Sequence, residues 1–100
     1  MIRHIAMFTF TNDVTAEDVR AIDEGLAGLP GVIKEIRGYS FGSDLGFGDG
    51  NYDYAVIGEF GSAEDFHTYS THPVHVQVLE TRIKPVLDSV ARIQIDLAGD

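Results

Sequence analysis

Apolar side chains recur at every second position from Ile2 to Phe10, which sets Ile2, His4, Ala6, Phe8 and Phe10 on one face of a strand and Arg3, Ile5, Met7 and Thr9 on the other. Both faces are largely apolar, so the second one needs a cover of its own. The period then changes. Val19, Ile22, Leu26 and Leu29 follow at spacings of three and four, an apolar helical stripe that belongs against a sheet. Thr15 can cap the start of that helix, Glu17 and Asp18 suit its first turn, and Val14 with Val19 forms a hydrophobic staple. Leu29-Pro30-Gly31 ends it, and Asp23 and Glu24 on the far side read as a solvated face.

A second strand is expected from about Ile33 to Gly42, with Tyr39 and Phe41 on one face and Gly38, Ser40 and Gly42 on the other. The small residues are read as leaving room on the helix-facing side, for a large helix side chain or a ligand. The glycine-rich stretch from Ser43 to Asp53 reads as a turn region, with a divalent cation on its aspartates as the alternative; a calcium loop would want glycine where Tyr54 stands. The third strand runs from Asp53 to Phe60. Ser62 then caps a helix whose Phe66 and Tyr69 project from one side. Pro73 breaks that helix, since proline fixes its own φ and pushes His72 away from helical geometry. A new helix opens at Pro73 with Val74, Val78, Leu79, Ile83 and Val86 as its buried stripe, and a last strand spans Ser89 to Leu97 with Ala91, Ile93 and Ile95 on one face.

The order β-α-β-β-α-β specifies an α+β, ferredoxin-like split βαβ fold, a four-stranded antiparallel sheet with its helices on one face. The other face would carry Ile5, Met7, Ile57 and Val90, an apolar patch that predicts a homodimer packed sheet to sheet. One domain is expected over residues 1–97, with a short tail at 98–100. A formal net charge of −9 argues against nucleic acid and against an anionic membrane surface as partners. With no cysteine the chain has no thiolate nucleophile and no zinc–sulfur site. Neither a metal nor a cofactor is expected, and no long apolar segment near Met1 marks a signal peptide, so the cytoplasm is the expected location.

The chemistry concentrates in Tyr69-Ser70-Thr71-His72-Pro73-Val74-His75, where three rings able to share a proton lie close together. His75 falls in the first turn of the helix opened by Pro73, and the positive end of that helix disfavours a protonated imidazole. A neutral histidine can accept a proton, which makes His75 a candidate general base. The same cluster also reads as a hydrogen-bonded packing corner. His4 on the first strand, beside Phe8, likewise reads either as a satisfied core histidine or as part of a site.

The opening Ile2-Arg3-His4-Ile5-Ala6-Met7-Phe8-Thr9-Phe10, the Asp53-Tyr54-Ala55-Val56-Ile57 strand and above all the His72-Pro73-Val74-His75 segment resemble the stress-responsive dimeric α/β-barrel (Dabb) family over nearly the whole chain. The resemblance implies a ferredoxin-like protomer paired into a barrel. A polyketide-cyclising member of that family closes its substrate by an aldol-type reaction without metal or cofactor, in a pocket between helices and sheet. On that resemblance His75 and Tyr69 are the catalytic pair and His4 and Tyr54 are pocket residues, Tyr54 standing where that member has a third-strand histidine; His72 and Phe8 are expected to line the same pocket. Two classes of function follow. One is a small-molecule-binding or stress-protective homodimer with a hydrophobic or carbonyl-bearing ligand. The other is a cyclase- or lyase-type enzyme in which His75 abstracts a proton next to a carbonyl. A heme- or quinol-linked monooxygenase of similar barrel shape ranks behind both, because nothing marks a heme ligand set.

Overall fold

In the computed structural model, which describes residues 1–97, the alternating opening segment forms β1 (Ile2–Phe10) and becomes one of the two central strands of a four-stranded sheet. The remaining elements are α1 (Ala16–Ala27), β2 (Ile36–Ser43), β3 (Tyr54–Phe60), α2 (Ala63–Thr71), α3 (Pro73–Val78) and β4 (Leu87–Asp96). A π-helical turn over Leu79–Ile83 and a 3-10 turn over Lys84–Val86 link α3 to β4. The strand order is β2-β3-β1-β4 and every neighbouring pair is antiparallel. The tail expected at 98–100 lies outside the described residues. Among the described residues no helix is long and apolar enough to cross a membrane.

Each helix start follows from its sequence. The Thr15 hydroxyl accepts from the Asp18 amide at 3.1 Å and the Asp18 carboxylate accepts from the Thr15 amide at 3.0 Å, a reciprocal cap. Ser62 accepts from the Asp65 amide at the head of α2. His72 takes an extended backbone ahead of Pro73, and its Nδ1 accepts from the Val74 amide at 3.2 Å, so the residue that ends α2 also caps α3. Arg82 ties the π-helical turn to α1 by donating from Nη1 to the Ala21 carbonyl at 2.6 Å. Downstream, Pro85 has no N–H to continue a helical ladder, and the Lys84 amide reaches back five residues to the Leu79 carbonyl.

His4, Ala6, Phe8, Tyr54, Val56 and Phe60 are buried on the helix side of the sheet, against Ile22, Leu26 and Leu29 of and after α1 and Tyr69 of α2. Three readings of the sequence are corrected at this level. Ile33 is fully buried but lies before β2, in a turn closed by its amide on the Leu29 carbonyl at 2.8 Å. On β2 it is Tyr39 and Phe41 that pack against the helix-side core, so Gly38, Ser40 and Gly42 fall on the open face instead of leaving space under the helices. Val90 pairs with Phe8 and packs against the same core, so the open face carries Ala91 and Ile93 of β4 beside Ile5, Met7 and Ile57. Strand period is two, and starting β4 at Leu87 with a register shift opposite Thr9 and Phe10 decides which parity faces inward.

Candidate functional site

Between the sheet and α2–α3 lies a cavity of about 280 Å³. Its floor is His4, Ala6 and Phe8 of β1 with Val56 of β3; its roof is Phe66, Tyr69 and Ser70 of α2 with His75 of α3. The β4 side is formed by Leu87, Val90 and Arg92, where Lys84 and Arg92 are exposed, so this side is the mouth. Space remains there because the break at His72–Pro73 turns the chain after α2, and the π-helical turn displaces Leu79 and Ile83 from where a straight helix would put them.

The rings of Tyr69 and His75 have their centroids 4.2 Å apart, and His4 lies 6.1 Å from Tyr69 and 5.0 Å from Phe66. His4 and His75 are both buried. His75 Nδ1 is 3.0 Å from the Ser70 carbonyl oxygen, which can only accept, so Nδ1 carries the proton and Nε2 is the lone-pair nitrogen. The opposite assignment holds for His4. Its Nδ1 is 2.9 Å from the Gln94 side-chain nitrogen, which can only donate, so the neutral ring carries its proton on Nε2.

Both imidazoles are held neutral near pH 7. Burial lowers the pKa of His4 to about 4, with the neighbouring His75 and Arg92 adding to the effect. Burial also lowers that of His75, against the Ser70 hydrogen bond that favours its charged form, while His72 lowers it further. The direction for His75 agrees with the expectation from the helix terminus, but desolvation is the leading cause. Tyr69 is buried, which pushes its hydroxyl up to about 12, and it shares a 2.8 Å hydrogen bond with the Tyr39 hydroxyl. With Tyr39 donating, the Tyr69 proton is left for a group in the cavity.

The structure therefore gathers His4, Phe8, Tyr69 and His75 around one space, and leaves two other named residues outside it. His72 is occupied as the cap of α3. Tyr54 does not line the cavity: it stacks at 6.1 Å on Phe8 and donates from its hydroxyl to Asp23 of α1 at 2.6 Å, which raises its pKa after burial. Asp23 is thus a buried tyrosine's acceptor and not part of a solvated face. Tyr54→Phe is expected to cost about 1.5–3 kcal/mol in a urea unfolding experiment, the range for a hydrogen bond to a charged acceptor, and to leave ligand affinity at the cavity unchanged.

Tyr39, Arg92 and Gln94 are site residues that the sequence reading missed. The signal was present in the alternation Val90, Arg92, Gln94 on β4, which becomes readable once the strand's inward parity is known. In the Ser43–Asp53 stretch, Asp44 accepts from the Gly46 amide and the Asn51 side chain, and Asp53 accepts from the Phe10 amide at 2.8 Å. Those carboxylates hold the turn itself. Among the described residues no group of three or more His, Asp or Glu side chains is placed to bind a metal ion.

Comparison with known proteins agrees with this architecture. The chain is 27% identical over 78 residues to the stress-response A/B barrel domain-containing protein HS1 of Arabidopsis thaliana, covering 76% of this chain and 72% of that protein. A dimeric ferredoxin-like protein of unknown function from Thermobifida fusca superposes with a TM-score of 0.89 at 38% identity, over 96% of this chain and 90% of its own. Hydroxynitrile lyase from Passiflora edulis shares the fold, with a TM-score of 0.84 at 16% identity over 99% of this chain and 94% of that one. The family model for the stress responsive A/B barrel domain matches residues 2–97, and with it the chain belongs to that family.

Proposed function

We propose that the cavity binds a small carbonyl compound and catalyses proton transfer at the carbon next to the carbonyl. The observation that carries this reading is the pair of opposed tautomers: His75 offers a lone pair on Nε2 and His4 offers a proton on Nε2, both buried and both on one cavity. His75 Nε2 takes the proton as the C–H bond breaks, the bonding pair moves into the enolate, and the carbonyl oxygen gains the negative charge. The Ser70 carbonyl accepts from His75 Nδ1–H and so steadies the imidazolium that forms. The His4 Nε2–H and the Tyr69 hydroxyl donate to the enolate oxygen, in a site whose apolar walls strengthen both hydrogen bonds. Collapse of that enolate onto a second carbonyl gives a cyclase-type reaction, and return of the proton gives exchange.

The test is solvent deuterium incorporation at the α-carbon of a panel of aliphatic and aromatic ketones, followed by proton NMR. Enzyme-dependent exchange supports the reading. Saturable binding of the same ketones without exchange replaces it by a carrier or stress-protective role for the same cavity.

A homodimer is part of this proposal. Ile5, Met7 and Ile57 are half-buried on the open face, Ile93 beside them is 54% exposed, and the Arg3–Glu59 ion pair flanks them. Covering such a face with a second copy removes the apolar area from water, and the Thermobifida fusca relative is itself dimeric. Sedimentation at micromolar concentration is expected to give twice the 10.9 kDa of one chain, and Ile93→Glu to shift it toward the monomer. A wild-type chain that sediments as a monomer would overturn the pairing.

A further inference from the structure

The chain holds 16 acidic residues against 7 lysines and arginines, yet among the described residues no aspartate or glutamate lines the cavity, while two cations, Lys84 and Arg92, stand at its mouth. A protein of net charge −9 repels anions over most of its surface, so a cavity lining without acids and with an unpaired guanidinium at its mouth is a local departure with a consequence for what enters. Lys84 is engaged with Glu80 at 2.6 Å. Arg3 pairs with Glu59 and Arg82 donates to the Ala21 carbonyl, but Arg92 has no ion-pair or hydrogen-bond partner among the described residues.

Arg92 sits opposite Ala6 on β4 and His4 sits opposite Gln94, so Arg92 and His4 are diagonal neighbours on one face, the distance a long side chain spans. The lowered pKa of His4 includes a contribution from Arg92, which agrees with that proximity.

We propose that the substrate carries a carboxylate, held at the mouth by Arg92, close to the carbonyl held by His4: a 3-oxo acid with an apolar tail. This deepens the proton-transfer reading and rests on it. The guanidinium fork matches the two oxygens of a carboxylate, which lysine does not reproduce. With the carboxylate on Arg92 and the ketone oxygen on His4 Nε2–H, the carbon between the two groups carries the most acidic C–H of such a molecule. That carbon is the one presented to His75. The apolar tail then lies along Phe8, Leu87 and Val90.

Calorimetric titration of the intact protein with 3-oxohexanoate and with its methyl ester separates the two levels of the argument. The acid is expected to bind at least about 10-fold more tightly than the ester, the size of one charge-assisted hydrogen bond. Arg92→Gln should bring the affinity for the acid down to that for the ester measured on the same variant, and Arg92→Lys should restore part of the difference. An ester that binds as well as the acid, or an Arg92→Gln protein that keeps its preference for the acid, overturns the carboxylate site while the cavity reading stands. Failure of both ligands to bind overturns the cavity reading and the carboxylate with it.

Discussion

His75→Asn is expected to lower the rate of α-proton exchange by about 100- to 10,000-fold, the range for removing a positioned general base. Asparagine is the informative replacement because its side-chain NH₂ can take over the bond that His75 Nδ1–H makes to the Ser70 carbonyl. What is lost is the Nε2 lone pair of a residue that lines the cavity. His75→Ala removes both, and so mixes loss of the base with a carbonyl left unsatisfied at the α2–α3 break. If the asparagine variant folds with unchanged unfolding behaviour and binds ketones as before but no longer exchanges their α-proton, the base assignment holds. An asparagine variant that exchanges at the wild-type rate would leave His75 as a packing residue of the helix junction. Tyr69 alone could not then replace it, since a hydroxyl pushed up to about 12 is a donor at neutral pH and not a base.

How much of this was legible in the sequence depended on whether the signal was local. The break at His72–Pro73 could be read from proline stereochemistry alone, and so could the placement of His75 at the head of the following helix, because both act over one or two residues. The face shared by His4, Ala6 and Phe8 followed from strand alternation within β1. The errors lay where a face had to be chosen between two. The alternation on β2 is clear, but nothing within Gly38-Tyr39-Ser40-Phe41-Gly42 says which side looks at the helices; that is decided by the pairing to β3, with its irregularity between Ile36 and Gly38. Val90 was assigned to the open face for the same reason, and Arg92 and Gln94 went unnoticed with it. The family resemblance implies a cavity role for Tyr54, whereas its acceptor, Asp23, lies 31 residues earlier on α1. A hydrogen bond across that separation leaves no trace in local periodicity. The π-helical turn is likewise a compromise between the helix and Pro85 that only the tertiary packing reveals.

Acid lability is the second large effect expected, and it follows from the same neutral imidazoles that the proposed proton transfer uses. In the unfolded chain a histidine binds its proton near pH 6.5, whereas folded His4 resists protonation down to about pH 4. Between those values the unfolded state holds more protons than the native one, so stability rises with pH; it is complete above the unfolded value and is lost as the pH falls toward the folded one. Linkage puts the loss from His4 at about 2 kcal/mol by pH 5, a large share of the roughly 5–15 kcal/mol by which small domains are stable. His75, shifted in the same direction, adds to it. Working between pH 7.5 and pH 5 keeps the measurement above the usual carboxylate range. Urea midpoints are expected to fall steadily through this window, and His4→Gln, which cannot titrate, should flatten the slope even if it lowers the plateau. A wild-type midpoint that stays level to pH 5 would mean that His4 is protonated inside the folded protein without cost. The His4 Nδ1 would then donate, the bond from Gln94 could not form as seen, and the complementary tautomers on which the proposed proton transfer rests would have to be abandoned.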